Sequence, residues 1–176
     1  MLILDACVGA EKIYQGMNKL LKENFISIDI RKGDFKPELG NYKYLGENKI
    51  IINPTILADM KYLPFKDETF DVIIMDPPHY SFGKNCKTAM ALEYGSWTKQ
   101  DKIVNIYNAN KEFKRCLKKN GTLIIKVMSE DKDRYINLFN NFIFYLPIQT
   151  IRDRGCMSSK EAKLAAIWLI GILKDR

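Results

Sequence analysis

Histidine and closely spaced cysteine are what this 176-residue sequence has least of. His79 is its single histidine, and its four cysteines, Cys7, Cys86, Cys116 and Cys156, stand far apart with no C-x-x-C. Such a set does not suit zinc, and the scatter does not suit a framework of structural disulfides. No metal is therefore expected. Long apolar runs are missing too. A helix needs about 20 apolar residues to span a bilayer, whereas the longest candidate, "LAAIWLIGIL" at 164–173, has the length of a buried strand. Residues 1–10 lack the basic start and cleavage pattern of a signal peptide. A cytoplasmic protein with no membrane contact is the expectation. Repeats and low-complexity segments are absent as well.

What is present fits one folded domain across residues 1–176, with 47% hydrophobic residues. The formal charge is +7, from 28 Lys and Arg against 21 Asp and Glu. A surplus of that size favours a polyanionic partner through steering and counterion release, and it is equally the mark of a lysine-rich solvated surface.

"MLILDA" is an apolar run ending in an aspartate and a small residue, and "CVGAEKIYQGMNKLLKEN" follows with Ile13, Met17, Leu20 and Leu21 at helical spacing. "FISIDI" at 25–30 is a second buried strand. Strand, helix and strand make a βαβ unit, which crosses over right-handed into a parallel sheet. Residues 31–53 show no sustained period and read as a rim excursion. "TILADM" (55–60) and "DVIIM" (71–75) supply a third and a fourth strand, and 81–101 is again irregular. A helix over 101–120 closes on Gly121 as its C′ glycine, before a fifth strand, "TLIIKVM" (122–128). A short helix in "DKDRYINLFNNF", a sixth strand "IFYLPIQTI" and a seventh in "KLAAIWLIGILK" complete the chain. The link between the last two strands is too short for a crossover helix, so they should run antiparallel. The expected fold is α/β, a Rossmann-like three-layer sandwich with a seven-stranded, mostly parallel sheet and an antiparallel last strand.

Ligands of such sheets bind beyond the carboxyl ends of the strands, where strand order switches. The first four strands each end at an aspartate: Asp5, Asp29, Asp59 and Asp76. One aspartate at a strand end is ordinary turn chemistry. Four in succession would repel one another unless a ligand or cation used them. After Asp76 come Pro77 and Pro78, which supply no backbone N–H and fix φ, and then His79 and Tyr80. The tip is stiff, and it presents a carboxylate and carbonyl oxygens.

This pattern resembles the class I S-adenosylmethionine (SAM) dependent methyltransferases through nearly the whole chain: "LDACVGA" as the SAM loop, "SIDI" as the ribose strand, "LADM" as the adenine strand, "DPPH" as the catalytic tetrapeptide and "LKKNGTLIIKV" as the fifth strand. More narrowly, "DACVG", "IDIRK", "INPTILADMKYLPF" and "MDPPH" are similar to small phage- and prophage-type DNA methylases. The resemblance implies SAM as cofactor, held by Asp5, Ala6, Cys7 and Gly9 in the loop, Asp29 at the ribose, Ile30 against the adenine ring, Asp59 at its amino group, Met60 on its other face, and Asp76. The loop has one glycine where the family usually has two or three.

An exocyclic amine is a poor nucleophile because its lone pair is delocalised into the base. The resemblance implies that Asp76 and the Pro77 carbonyl accept its hydrogens and draw the nitrogen toward sp³ geometry, with Pro78 adding rigidity and His79 taking the usually aromatic fourth position. His79 or Tyr80 would stack on the base, Trp97 or Tyr94 would hold an unpaired base, and Lys84, with Lys32, Lys36, Lys43, Lys87 and Arg152, would position phosphates. The expected activity is methyl transfer to an exocyclic amine of a nucleic-acid base, adenine N6 in DNA first. The alternatives are an RNA amino methyltransferase acting on guanine N2 or adenine N6, and a non-catalytic nucleic-acid-binding subunit. A nicotinamide-dependent dehydrogenase is disfavoured, since no G-x-G-x-x-G follows the first strand. Nucleic acid is the expected partner, DNA ahead of RNA, with a homodimer as a further assembly.

Overall fold

The computed structural model describes residues 1–10, 23–38, 49–78, 86–145, 148–149 and 166–174. Its strands are β1 (Ile3–Asp5), β2 (Phe25–Asp29), β3 (Gly33–Phe35), β4 (Ile50–Ile52), β5 (Ile56–Leu57), β6 (Phe70–Met75), β7 (Leu117–Met128), β8 (Phe142–Phe144), β9 (Ile148–Gln149) and β10 (Ala166–Leu173). The described helices are α1 (Ala89–Tyr94), α2 (Lys99–Cys116) and α3 (Lys132–Leu138).

The main sheet runs β5-β2-β1-β6-β7-β10-β8, and β9 also pairs with β10. Strands β5, β2, β1, β6 and β7 are mutually parallel, while β10 is antiparallel to both its neighbours. β8 and β9 share one edge of β10, opposite Gly171–Leu173 and Ile167–Trp168 respectively, so they are two pieces of the expected sixth strand. Pro147 stands between them in sequence and has no N–H to give a ladder. The sheet is the expected seven-stranded, mostly parallel one with an antiparallel last strand.

Strand order reverses beside β1, between β2 and β6, which opens the crevice that the sequence reading anticipates. The core lies against β1, β6 and β7, where Leu4, Ile73, Leu123 and Ile125 are fully buried with Phe113 of α2 and Phe139 after α3. Phe113 and Phe139 stack with centroids 6.0 Å apart, and burying a side chain of this kind contributes roughly 1.5–3 kcal/mol. Helix α2 starts where the Thr98 hydroxyl accepts from the Asp101 N–H at 3.1 Å, and Lys114 and Arg115 in its last turn suit its C-terminal dipole.

Three local expectations are corrected. The excursion at 31–53 contains an antiparallel ribbon, β3 with β4, whose Ile50 and Ile52 form a second apolar cluster with Ala89. The stretch 81–101 contains α1, capped by the Thr88 hydroxyl, which accepts from Ala91 N–H at 3.3 Å. Gly121 is not a C′ glycine: α2 ends at Cys116 and the chain enters β7 directly. The left-handed residue of that stretch is Asn120, at φ 61°. The expected helix after the first strand falls on residues outside those described. No helix among the described residues is long and apolar enough to cross a membrane.

Candidate active site

The strand-end aspartates share a local geometry. Asp5 Oδ1 accepts from the Cys7 N–H at 3.0 Å, Asp29 Oδ1 from the Arg31 N–H at 2.9 Å, and Asp59 Oδ1 from the Lys61 N–H at 2.9 Å. In each case the side chain closes a turn on the amide two residues ahead. For these three the plain turn chemistry of a strand end is present, whatever further role they take.

Asp76 cannot follow that pattern. The residue two ahead is Pro78, which has no N–H, and neither has Pro77. Its carboxylate is directed elsewhere: Asp76 Oδ2 accepts from Lys126 Nζ at 2.7 Å, and its side chain is only 5% exposed. Lys126 lies on β7, opposite Trp168 of β10. Its ammonium stands 5.8 Å from the Tyr94 ring centroid and 5.9 Å from that of Trp168, within range of both ring faces.

The other carboxylates are also matched by cations. Arg31 Nε donates to Asp29 Oδ1 and Nη2 to Asp29 Oδ2, both at 3.0 Å, and Lys61 Nζ lies 3.4 Å from Asp59 Oδ2. The repulsion expected among the aspartates is thus relieved by Arg31, Lys61 and Lys126 of the same chain. Sequence reasoning gave none of the three a role, although two carry a written signal: a basic residue two positions after a strand-end aspartate, as D-I-R and D-M-K.

A cavity of about 290 Å³ opens at these strand ends, lined by Ala6, Cys7, Asp29, Ile30, Asp59 and Met60 on the strand side. Facing them are Pro78, Leu92, Tyr94, Trp97 and Asn105. Ile30 is 63% exposed and offers an open apolar face, whereas Met60 is buried in the core beneath. Trp97 packs partly on the core while also lining the cavity, so its core-packing and ligand-facing readings hold together. Carboxylates at one side and apolar walls around suit a ligand that joins hydroxyl or amino donors to a flat ring.

Gly9 holds the loop after β1 in place. Its φ is +54°, and a Cβ there would stand 2.5 Å from the Glu93 carbonyl oxygen. Only glycine fits so close a backbone approach. The Gly9 N–H donates to Asp29 Oδ2 at 3.2 Å. The Cys7 thiol is pushed well above its ordinary value by burial and by the carboxylates of Asp5, Asp76 and Asp29, which places those three around one sulfur. Three successive residues of α1 touch three parts of the site: the Leu92 carbonyl accepts from Arg31 Nη1 at 2.6 Å, the Glu93 carbonyl abuts Gly9, and the Tyr94 ring faces Lys126.

His79, Tyr80 and Lys84 lie outside the described residues, as do Lys43 and Arg152. Lys87, expected at a phosphate, is paired with Glu38. Among the described residues no group of three or more His, Cys, Asp or Glu could hold a metal ion.

No family model and no curated protein matches the sequence. Solved structures do. The chain is similar to the N-methyltransferase NodS from Bradyrhizobium japonicum WM9, crystallised with S-adenosyl-L-homocysteine, at TM-score 0.55 and 11% identity, covering 98% of this chain and 77% of that one. The fold is that of the SAM-dependent methyltransferases. A geranyl diphosphate C-methyltransferase from Streptomyces coelicolor A3(2) matches at TM-score 0.56 and 9% identity, over 98% of this chain and 72% of that one. A putative methyltransferase in complex with the Haloferax volcanii Trm112 activator matches at 0.55 and 11%, over 99% and 82%. The reactions named in this group differ on one architecture, so the fold by itself identifies no acceptor.

Proposed function

We propose that this chain, as a single domain over 1–176, is a SAM-dependent methyltransferase acting on an exocyclic amino nitrogen of a nucleic-acid base, adenine N6 in DNA first. The observation that carries the reading is Asp76, the one of the four strand-end aspartates whose carboxylate is kept out of a turn by the two prolines behind it. The residues around the cavity suit SAM. Asp29 would accept from the ribose hydroxyls, Ile30 would cover the adenine ring, Asp59 would accept from its amino group, and the loop of Asp5, Ala6, Cys7 and Gly9 would border the methionine part. When bound, SAM supplies an electrophilic methyl on a sulfonium.

Asp76 and the Pro77 carbonyl accept the two hydrogens of the target amine and orient its lone pair. Positive charge growing on that nitrogen during methyl transfer would meet the fixed carboxylate of Asp76. The surplus proton then leaves to Asp76 or to water. Much of the remaining acceleration comes from alignment. His79 or Tyr80 would stack on the base, with Trp97 on the cavity wall and Lys84 at a phosphate, and the basic surface draws the polyanion. The other acceptors in play are an RNA amine and a small molecule.

The test is incubation with labelled SAM and a panel of DNA, RNA, nucleosides and small amines, then digestion and identification of the product by mass. Label on N6-methyladenine from DNA is the expected result, falling at least about a hundredfold in Asp76→Ala while SAM binding persists. Label on carbon or oxygen, or undiminished turnover by Asp76→Ala, overturns the proposal.

A further inference from the structure

The Asp76–Lys126 pair carries more than the neutralisation of a carboxylate. Lys126 sits in the middle of an apolar strand, "LIIKVM", with its side chain only 20% exposed. An ion pair held that far from water adds little to stability compared with apolar residues of similar size. Stability is thus a poor reason for a lysine here. Its surroundings are specific: a carboxylate oxygen at 2.7 Å and the rings of Tyr94 and Trp168 on either flank, Tyr94 being also a wall of the cavity.

A lysine ammonium has three N–H donors and no acceptor. Beside it, the carboxylate is acceptor only. The pair therefore holds an acceptor and a donor side by side next to Tyr94, a wall of the cavity. This is the alternation with which an asparagine or glutamine amide reads an amino group next to a ring nitrogen. Adenine offers that edge twice, with N6 flanked by N1 and N7, and cytosine offers it as N4 beside N3. Guanine N2 matches only on its N3 side, since on the other side N1–H is a second donor and would face the ammonium.

The geometry points to Lys126 as the residue that selects the acceptor: it donates to the ring nitrogen beside the target amine while Asp76 accepts from the amine itself, so that an amine is admitted where an unprotonated ring nitrogen adjoins it. This rests on the proposed amino methylation and narrows it to one class of base edge. It adds no covalent step.

The experiment compares single-stranded oligonucleotides carrying one adenine, 1-deazaadenine or 7-deazaadenine. Each is tested for equilibrium binding by fluorescence anisotropy without cofactor and for methyl transfer with SAM, using wild type and Lys126→Met. Wild type should bind and methylate adenine at least tenfold better than one of the two deaza analogues. Lys126→Met should lose that ratio, whatever its overall rate, and a merely structural lysine would leave the ratio unmoved. If wild type methylates adenine but treats all three oligonucleotides alike, or if Lys126→Met keeps the discrimination, Lys126 is not the selector although the methylation stands. If wild type transfers no methyl to any amine, the proposed function fails and this assignment fails with it.

Discussion

The Arg31 guanidinium lies across the Asp29 carboxylate and, with two main-chain amides, fills it. Asp29 Oδ1 accepts from Arg31 N and Nε, and Oδ2 from Gly9 N and Arg31 Nη2. A carboxylate has about four acceptor sites, so ribose hydroxyls reach Asp29 only as the guanidinium gives way. Asp29→Ala should then weaken SAM binding by about 1.5–3 kcal/mol, while Arg31→Met should tighten it severalfold. Calorimetry on folded variants separates the cases. An equal loss in both would make Arg31 a partner of the cofactor, not its competitor.

Gly9→Ala tests the contact between the loop and α1. The substitution puts a side chain at φ +54° and drives a Cβ to 2.5 Å from the Glu93 carbonyl oxygen. A destabilisation of about 1–3 kcal/mol is expected from backbone strain of this order, with a loss of SAM affinity beyond it. Thermal unfolding with and without SAM measures both. A variant with wild-type melting and affinity would mean that α1 does not press on the loop.

The cysteines at the cavity should differ in reactivity. Cys86 is held below its ordinary thiol value by the Thr88 hydroxyl 3.5 Å away and by the Thr88 backbone, while Cys7 is held above it. As pH rises, Cys86 becomes thiolate first. At pH 8 iodoacetamide should alkylate Cys86 well ahead of Cys7, and SAM should slow both. Peptide mass mapping over time reads the order, and faster labelling of Cys7 would contradict the carboxylate ring drawn around it.

Acid should release the loop behind Asp59. Arg115 donates to the carbonyls of Leu63 and Phe65 and to Glu112, and Glu112 accepts from the Leu63 N–H at 2.7 Å. The Arg115 side chain and the Leu63 amide hold Glu112 below its ordinary value of 4.5. A depressed carboxylate contributes stability that is present above its unfolded value and fades as pH falls through the folded one. Glu112→Gln should therefore be less stable by roughly 1–2 kcal/mol at neutral pH, with the gap closing below about pH 4.5. Urea unfolding across pH 3 to 7 tests this, and a constant gap would remove the ionised Glu112 from the clamp.

What could be read in advance follows from how each feature is encoded. Strand-end aspartates stand out because a run such as "FISID" announces both the strand and its end. The mostly parallel sheet follows from strands alternating with helices, and its antiparallel end from the short link before the last strand. The cations were written two residues after Asp29 and Asp59, but lysine and arginine are so common on surfaces that local sequence gives no reason to turn them inward. Lys126 was harder, since its partner Asp76 is 50 residues away and only the β6–β7 pairing brings them together. Helix α1 has six residues, too few for a helical period to declare itself. The β3–β4 ribbon is as short, and its role comes from Ile50 and Ile52 meeting Ala89, a contact that no local pattern contains.

Helix α1 gives the two halves of the site a common wall. Leu92 meets the Arg31–Asp29 turn, Glu93 meets Gly9 and Tyr94 meets Lys126, so a shift of one short helix is felt at both ends. Thermodynamic reciprocity then applies: whatever factor SAM adds to the affinity for the acceptor, the acceptor must add to the affinity for SAM. Arg31 leaving Asp29 would free the Leu92 carbonyl and move the Tyr94 ring that flanks the Asp76–Lys126 pair. Either ligand would accordingly favour the other, and replacements along α1 would alter the coupling between the two ligands more than the affinity for either one alone.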